Sequence, residues 1–113
     1  MSSLGTAIRM LPEQLRSLAF GSISGTYAGL GTAFANADRI LDLTNNTDVL
    51  LTFSIDGVSD YFVVGPNSYK IIDFTANATS MGGAASMALG TRIYVKGAPT
   101  VGAVYLTVWY ATV

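Results

Sequence analysis

Acid–base and nucleophilic chemistry near neutral pH usually calls for an imidazole or a thiolate. This chain of 113 residues has neither, since it contains no histidine and no cysteine. A nucleophilic serine or threonine would need a lysine or a carboxylate as its base. The lysines are Lys70 and Lys96. Lys70 stands next to Tyr69 inside an apolar run and Lys96 closes another run before a turn, as expected of solvent-facing charges that discourage edge-to-edge strand pairing. The carboxylates are Glu13, Asp38, Asp42, Asp48, Asp56, Asp60 and Asp73. Asp56-Gly57-Val58-Ser59-Asp60 has the start of a calcium loop, but lacks the further oxygen ligands at fixed spacing and the closing glutamate. Turn chemistry accounts for Asp56. Asn45-Asn46-Thr47 and Asn77-Ala78-Thr79 match the glycosylation acceptor pattern, and both are expected to be turn residues. No catalytic residue, metal-ligand set or cofactor site is expected, and the chain is read as one that builds or binds, not an enzyme.

The elements that would carry binding residues are strands. Val49, Leu51, Phe53 and Ile55 place an apolar residue at every second position, with Thr52 and Ser54 between, so one face of a sheet is buried. Asp56-Gly57 follows, then a second apolar run over 61–64, which predicts a hairpin. Further strands are expected over 22–30, 39–43, 69–74, 92–96 and 101–111. Polar turns are expected at 36–38, 44–48, 65–68 and 97–100, and a long loop over 75–87. Six or seven short strands with regular turn signals predict an all-β domain, an antiparallel β-sandwich or small jelly roll.

An extended N-terminal arm over 1–16 precedes that domain, which occupies 17–113. Leu4, Ile8, Leu11, Leu15 and Leu18 fall at helical spacing, but Pro12 interrupts it, leaving room for one short helix from about Pro12. The arm either folds back on its own sheet or lies across a neighbouring subunit. Its apolar residues favour ordering only on contact with another subunit, and Leu4, Ile8, Leu11 and Leu15 are the candidate interface residues within it. Aromatic residues supply the others. Val104, Leu106 and Val108 should face the core, which turns Tyr105 and Trp109 outward, as Ile93 and Val95 turn Tyr94. If these two strands pair, Tyr94, Tyr105 and Trp109 form one outer patch of the residue types that dominate interfaces. Three readings of the patch compete: a seat for the chain's own arm, a subunit interface, or a sugar-stacking platform.

Composition narrows the partners. Hydrophobic residues make up 50% of the chain and charged residues 12%, which leaves neutral and apolar surface to meet another chain. Six basic against seven acidic residues give a net charge of −1 with no basic stripe, so nucleic acid is not an expected partner. No apolar run approaches the length of a membrane-spanning helix and no signal peptide is apparent, so no membrane association is expected. The absence of cysteine fits folding in a reducing cytoplasm.

Several stretches resemble a family of small virion proteins of tailed bacteriophages. They are Gly21-Ser22-Ile23-Ser24-Gly25-Thr26-Tyr27, Arg39-Ile40-Leu41 before Thr44-Asn45-Asn46-Thr47, Phe53-Ser54-Ile55-Asp56-Gly57, Asp60-Tyr61-Phe62-Val63-Val64, Thr91-Arg92-Ile93-Tyr94-Val95-Lys96, and Val104-Tyr105 with Trp109-Tyr110. The resemblance spans roughly residues 17–111 and rests on strands and turns. It implies a β-rich capsid-decoration or head–tail protein, made in the host bacterial cytoplasm and located in the virion. It also implies homo-oligomers that dock on major capsid, portal or tail proteins without a cofactor. The alternative from a different class is a carbohydrate-binding module or small lectin that uses the same aromatic residues as a platform.

Overall fold

The computed structural model describes residues 9–74 and 86–112. Nine strands follow in chain order: β1 (Arg9–Pro12), β2 (Arg16–Ala19), β3 (Ala28–Gly29), β4 (Asp38–Thr47), β5 (Leu51–Ser54), β6 (Phe62–Val64), β7 (Ser68–Asp73), β8 (Tyr94–Lys96) and β9 (Gly102–Thr112). They form two antiparallel sheets. The first runs β1-β9-β4-β7, with β2 also on β9, and the second runs β3-β8-β5-β6. Counted from β2, the eight strands change sheet at every step except β5 to β6, which pair as a hairpin, and this order is that of a jelly roll. The expected all-β sandwich is the observed fold.

Period-two alternation builds the core. Leu41 and Leu43 of β4, Leu51 and Phe53 of β5, Ile93 and Val95, and Val104, Leu106 and Val108 of β9 all point into the space between the sheets and are buried there. Ile23, Leu30 and Phe34 close it from the connecting segments. The hairpin forms as expected, with Leu51 opposite Val64 and Phe53 opposite Phe62, whose rings stack 5.4 Å apart. Asp56 builds the turn. Its Oδ1 accepts from the Val58 and Ser59 N–H groups at 2.8 and 3.0 Å and from the Ser54 hydroxyl at 2.8 Å, and its Oδ2 accepts from the Tyr61 hydroxyl at 2.9 Å. The Ser59 and Val58 N–H groups, with Ser54 and Tyr61, hold its carboxyl far below the usual carboxylate range.

Four expectations are corrected. No helix starts at Pro12: residues 16–19 are β2, and Phe20–Ser22 is a single 3-10 turn. The strand expected over 22–30 is reduced to Ala28–Gly29, because Gly21 and Gly25 and the polar residues around them carry the chain between sheets. The turn expected over 44–48 is strand as far as Thr47, where β4 ends, with Asn45 and Thr47 buried and bonded inside the fold. Asn45 is fully buried, and its Nδ2 lies 2.9, 3.0 and 3.0 Å from the carbonyls of Val49, Val64 and Gly65. Its Oδ1 accepts from the Thr47 N–H and hydroxyl at 3.0 and 2.6 Å.

The fourth correction concerns the last two strands. β8 pairs with β3 and β5, whereas β9 pairs with β1, β2 and β4, so they belong to different sheets. Residues 97–101 therefore cross between the sheets and do not close a hairpin. Gly102 permits the entry into β9: its φ is +94°, and a Cβ there would stand 1.9 Å from the Asn46 carbonyl oxygen. Asp48 ties this crossing to the one between β4 and β5, accepting from the Thr100 N–H at 2.9 Å and from its hydroxyl.

Candidate interaction surface

Strand register decides which side chains share the outer face of the first sheet. With Leu41 and Leu43 turned inward, Ile40, Asp42 and Thr44 of β4 point outward. One row across the sheet is Ser17, Tyr105, Thr44 and Tyr69; the next is Thr107, Asp42 and Ile71; a third is Pro12, Trp109, Ile40 and Asp73. Tyr69 is 68% exposed, Ile71 56% and Tyr105 38%, while Trp109 and Ile40 are half-buried. Asp42 is the acidic member of the middle row. The face is thus aromatic and aliphatic with little charge.

At one side of this face β7 is an edge strand, paired only with β4 among the described residues. Five of its six residues are exposed and Ile72 is half-buried. Such a strand offers unpaired backbone groups to another chain. Lys70 lies on it, in the exposed edge position expected of it. Lys96 does not: β8 is an interior strand, and the Lys96 ammonium pairs with Asp60 at 2.9 Å and sits 4.7 Å from the Tyr27 ring. Tyr27 also donates to Asp60, and its hydroxyl is pushed up to about 12 by desolvation together with that carboxylate.

The structure separates the expected interface residues. Leu4 and Ile8 lie outside the described residues. Leu11 and Leu15 are exposed, but Leu11 belongs to β1 on the chain's own sheet. Of the arm expected over 1–16, residues 9–12 and 16 pair with β9 of the same chain. Tyr105 and Trp109 share the outer face of the first sheet. Tyr94 stands on the second sheet, half-buried, with the Arg92 guanidinium 5.6 Å from its ring centre. The three rings therefore form no common patch. Tyr69 and Ile71, which do extend the Tyr105 face, were not among the expected residues; their signal is that 69–74 carries apolar residues in both phases of the alternation.

A second cluster was not expected from sequence. Glu13 interrupts the path between β1 and β2, and its Oε1 accepts from Arg16 Nη2 at 2.8 Å and from the Ala35 N–H at 3.2 Å. Its Oε2 accepts from Asn36 at 3.1 Å. Arg16 also donates to the Thr32 and Ala33 carbonyls at 2.8 and 3.1 Å, and its guanidinium lies 5.3 Å from the Phe34 ring centre. Asp38, at the start of β4, completes the cluster with 0% exposure. Among the described residues no group of three or more histidine, cysteine or carboxylate side chains is placed to hold a metal.

No protein-family model and no curated protein sequence matches the chain. Its fold is similar to that of a solved chain from Bacillus endospore appendages, described as a novel family of disulfide-linked pili. The TM-score is 0.50 at 12% identity, over 96% of this chain and 93% of that one. At that identity the likeness shows the fold alone.

Proposed function

We propose that this chain is a non-enzymatic building block of a tailed-phage virion, which self-associates through the outer face of the first sheet and its β7 edge. The observation that carries the reading is that edge: a six-residue strand with Tyr69 and Ile71 exposed beside Tyr105, in a domain whose core is already complete without them. Exposed apolar residues on an open strand edge are an association surface. Three further points support it. Jelly rolls recur in viral capsid domains, the sequence resembles tailed-phage virion proteins, and the fold is similar to that of a pilus-forming chain. Docking on capsid, portal or tail proteins and location in the virion follow from the same reading. The disulfide linkage of those pili is not available to this chain, which has no cysteine, so its contacts would be noncovalent.

The test is sedimentation of the purified protein against Ile71→Lys and Tyr69→Lys variants. Both residues are exposed, so the variants should unfold at the wild-type temperature. Wild type should form concentration-dependent oligomers and the variants should remain monomeric. A wild type that stays monomeric at high concentration, or variants that assemble equally well, would refute the surface. Mass analysis of purified virions tests the location, and absence of the chain from them would refute it.

A further inference from the structure

β1 is held unlike the strands around it. None of its four residues belongs to the core or packs against it, so the strand rests on its ladder to residues 109–112 of β9 and on whatever fixes the break that follows. That break is residues 13–15, after which β2 resumes on the same β9. Glu13 and Arg16 bracket it. Asp38 lies opposite Tyr110, the residue that also opposes Leu11, so β9 runs between Asp38 and the end of β1.

The protons at this hinge are constrained. Both carboxyl oxygens of Asp38 are buried without a donor among the described residues. The neighbouring Glu13 accepts from Arg16 and the Ala35 N–H on Oε1 and from Asn36 alone on Oε2, which leaves a lone pair for one more donor. Two carboxyls in contact hydrogen-bond only when one keeps its proton. With Asp38 protonated, it donates to Glu13 and the single remaining negative charge is balanced by Arg16. With Asp38 ionised, two buried negative charges share one guanidinium.

We propose that Glu13, Arg16 and Asp38 form a proton-dependent clasp on β1, and that the opened strand is taken up by residues 109–112 of β9 in a second copy. This rests on the reading that the chain self-associates. The occupant is fixed by the register itself: the edge that accepts β1 accepts the same sequence from another copy with every ladder bond preserved, and residues 13–15 supply the hinge. Exchange of an identical element is a low-cost route to oligomers.

Burial pushes the Asp38 carboxyl up to about 7, with the hydrogen bond to Glu13 and its charge acting the same way and Arg16 opposing. Burial also acts to raise Glu13, but Arg16, the Ala35 N–H, Asn36 and Asp38 together hold it below its ordinary value. The other groups that face Asp38 come from each element packed against it. Tyr110 is the phenol on β9, Arg39 follows on the β4 bulge and is itself engaged, residues 34–36 present Phe34 and Asn36, and Met87 contributes backbone alone. Residues 2–8 and 75–85 contain no titratable side chain. Because the closed clasp binds the Asp38 proton more tightly than the open one, its stability is full at low pH. It is lost as pH rises from the ordinary 3.8 to about 7. Glu13 acts with the opposite sign, at more acid pH.

Hydrogen exchange on the full chain at low concentration reads the clasp, where association plays no part. After correction for intrinsic rates, protection of β1 should fall by roughly tenfold to a hundredfold between about pH 5 and 8, while β2 stays protected. Asp38→Asn, whose amide donates to Glu13 at every pH, should keep β1 protected at pH 8. The exchange step is read in a Leu11→Cys, Tyr110→Cys double variant, since these residues are directly opposed and the chain has no other thiol. A short bifunctional thiol reagent should bridge them within one chain at pH 5 and between chains at pH 8 and high concentration. Protection that ignores pH, or that Asp38→Asn loses equally, overturns the clasp. Bridges that stay within one chain at every concentration overturn the exchange. Neither result depends on the lysine variants of the β7 edge.

Discussion

Removing the amide of Asn45 should cost the domain a large part of its stability. Asn45→Ala removes the amide partner of the Val64 and Gly65 carbonyls and of the Thr47 N–H in a position that is fully buried, while the Thr47 hydroxyl and the Val49 carbonyl keep each other at 3.2 Å. A buried polar group left unsatisfied costs about 1–3 kcal/mol. If two of these groups stay dry, the loss is about 4 kcal/mol, against a total of about 5–15 kcal/mol for a typical domain. At about 4 °C per kcal/mol for this size, the unfolding midpoint should fall by about 15 °C. Asn45→Asp sharpens the test, because an ionised carboxylate has no proton to offer three carbonyls. Burial raises the new carboxyl in the folded state, so the variant's stability is greatest at low pH and is lost as pH rises above about 4. Calorimetry at pH 5 and pH 7 would show the aspartate variant partly recovering at the lower value, with the alanine variant unmoved relative to wild type. Asn46→Ala, at the exposed neighbouring position, should stay within about 0.5 kcal/mol of wild type. A midpoint shift under about 4 °C for Asn45→Ala, or an aspartate variant indifferent to pH, would refute the reasoning.

Gly102→Ala should destabilise by about 2 kcal/mol or more in urea unfolding, since its φ of +94° and the Asn46 carbonyl 1.9 Å from the new Cβ leave the side chain no place. A neutral result would mean that the crossing relaxes freely. Thermal stability should fall as pH drops below about 4, because Asp48, Asp56 and Asp60 are all held low by their partners and those contributions vanish as the carboxylates gain protons. Asp56→Asn should flatten that slope, and a slope identical to wild type would show that the 54–61 turn plays no part in it.

What could be read from the sequence divides along one physical line. The inward residues of β5, β8 and β9 are legible because alternation is a local pattern that burial enforces: Leu51 and Phe53, Val95, and Val104, Leu106 and Val108 face the core, and the pattern ends at the Asp56 turn, where Ser54 is buried and Ile55 is exposed. Pairing between distant strands is not, because period two says which face a residue takes and nothing about which strand lies beside it. Tyr94 and Tyr105 thus seemed to share a face, though a crossing at Gly102 places them on separate sheets. The polar run at 44–48 reads as a turn because Asn, Asp and Thr favour turns when solvated. Here the Asn45 amide finds the carbonyls of Val64 and Gly65 on another segment, a tertiary fact with no local trace. Glu13 and Arg16 were hidden for the same reason. Charged residues near an apolar arm look like a solvated face until loop 31–36 is folded over them.

The two buried polar knots stand at opposite ends of the sandwich, and their chemistry differs in a way that bears on assembly. At the end where β4 passes to β5 and β6 to β7, Asn45 bonds both crossings with a neutral amide that no physiological pH can alter. At the other end the carboxyls of Glu13 and Asp38 fix the hinge behind β1, and a carboxyl pair responds to protons. The core and the β7 face therefore depend on the permanent knot, while the N-terminal strand depends on the conditional one. A building block with this division can present a fixed outer face while its first strand changes partner. Loss of the amide should lower the unfolding midpoint of the whole domain; loss of the clasp should free one strand and leave the rest intact.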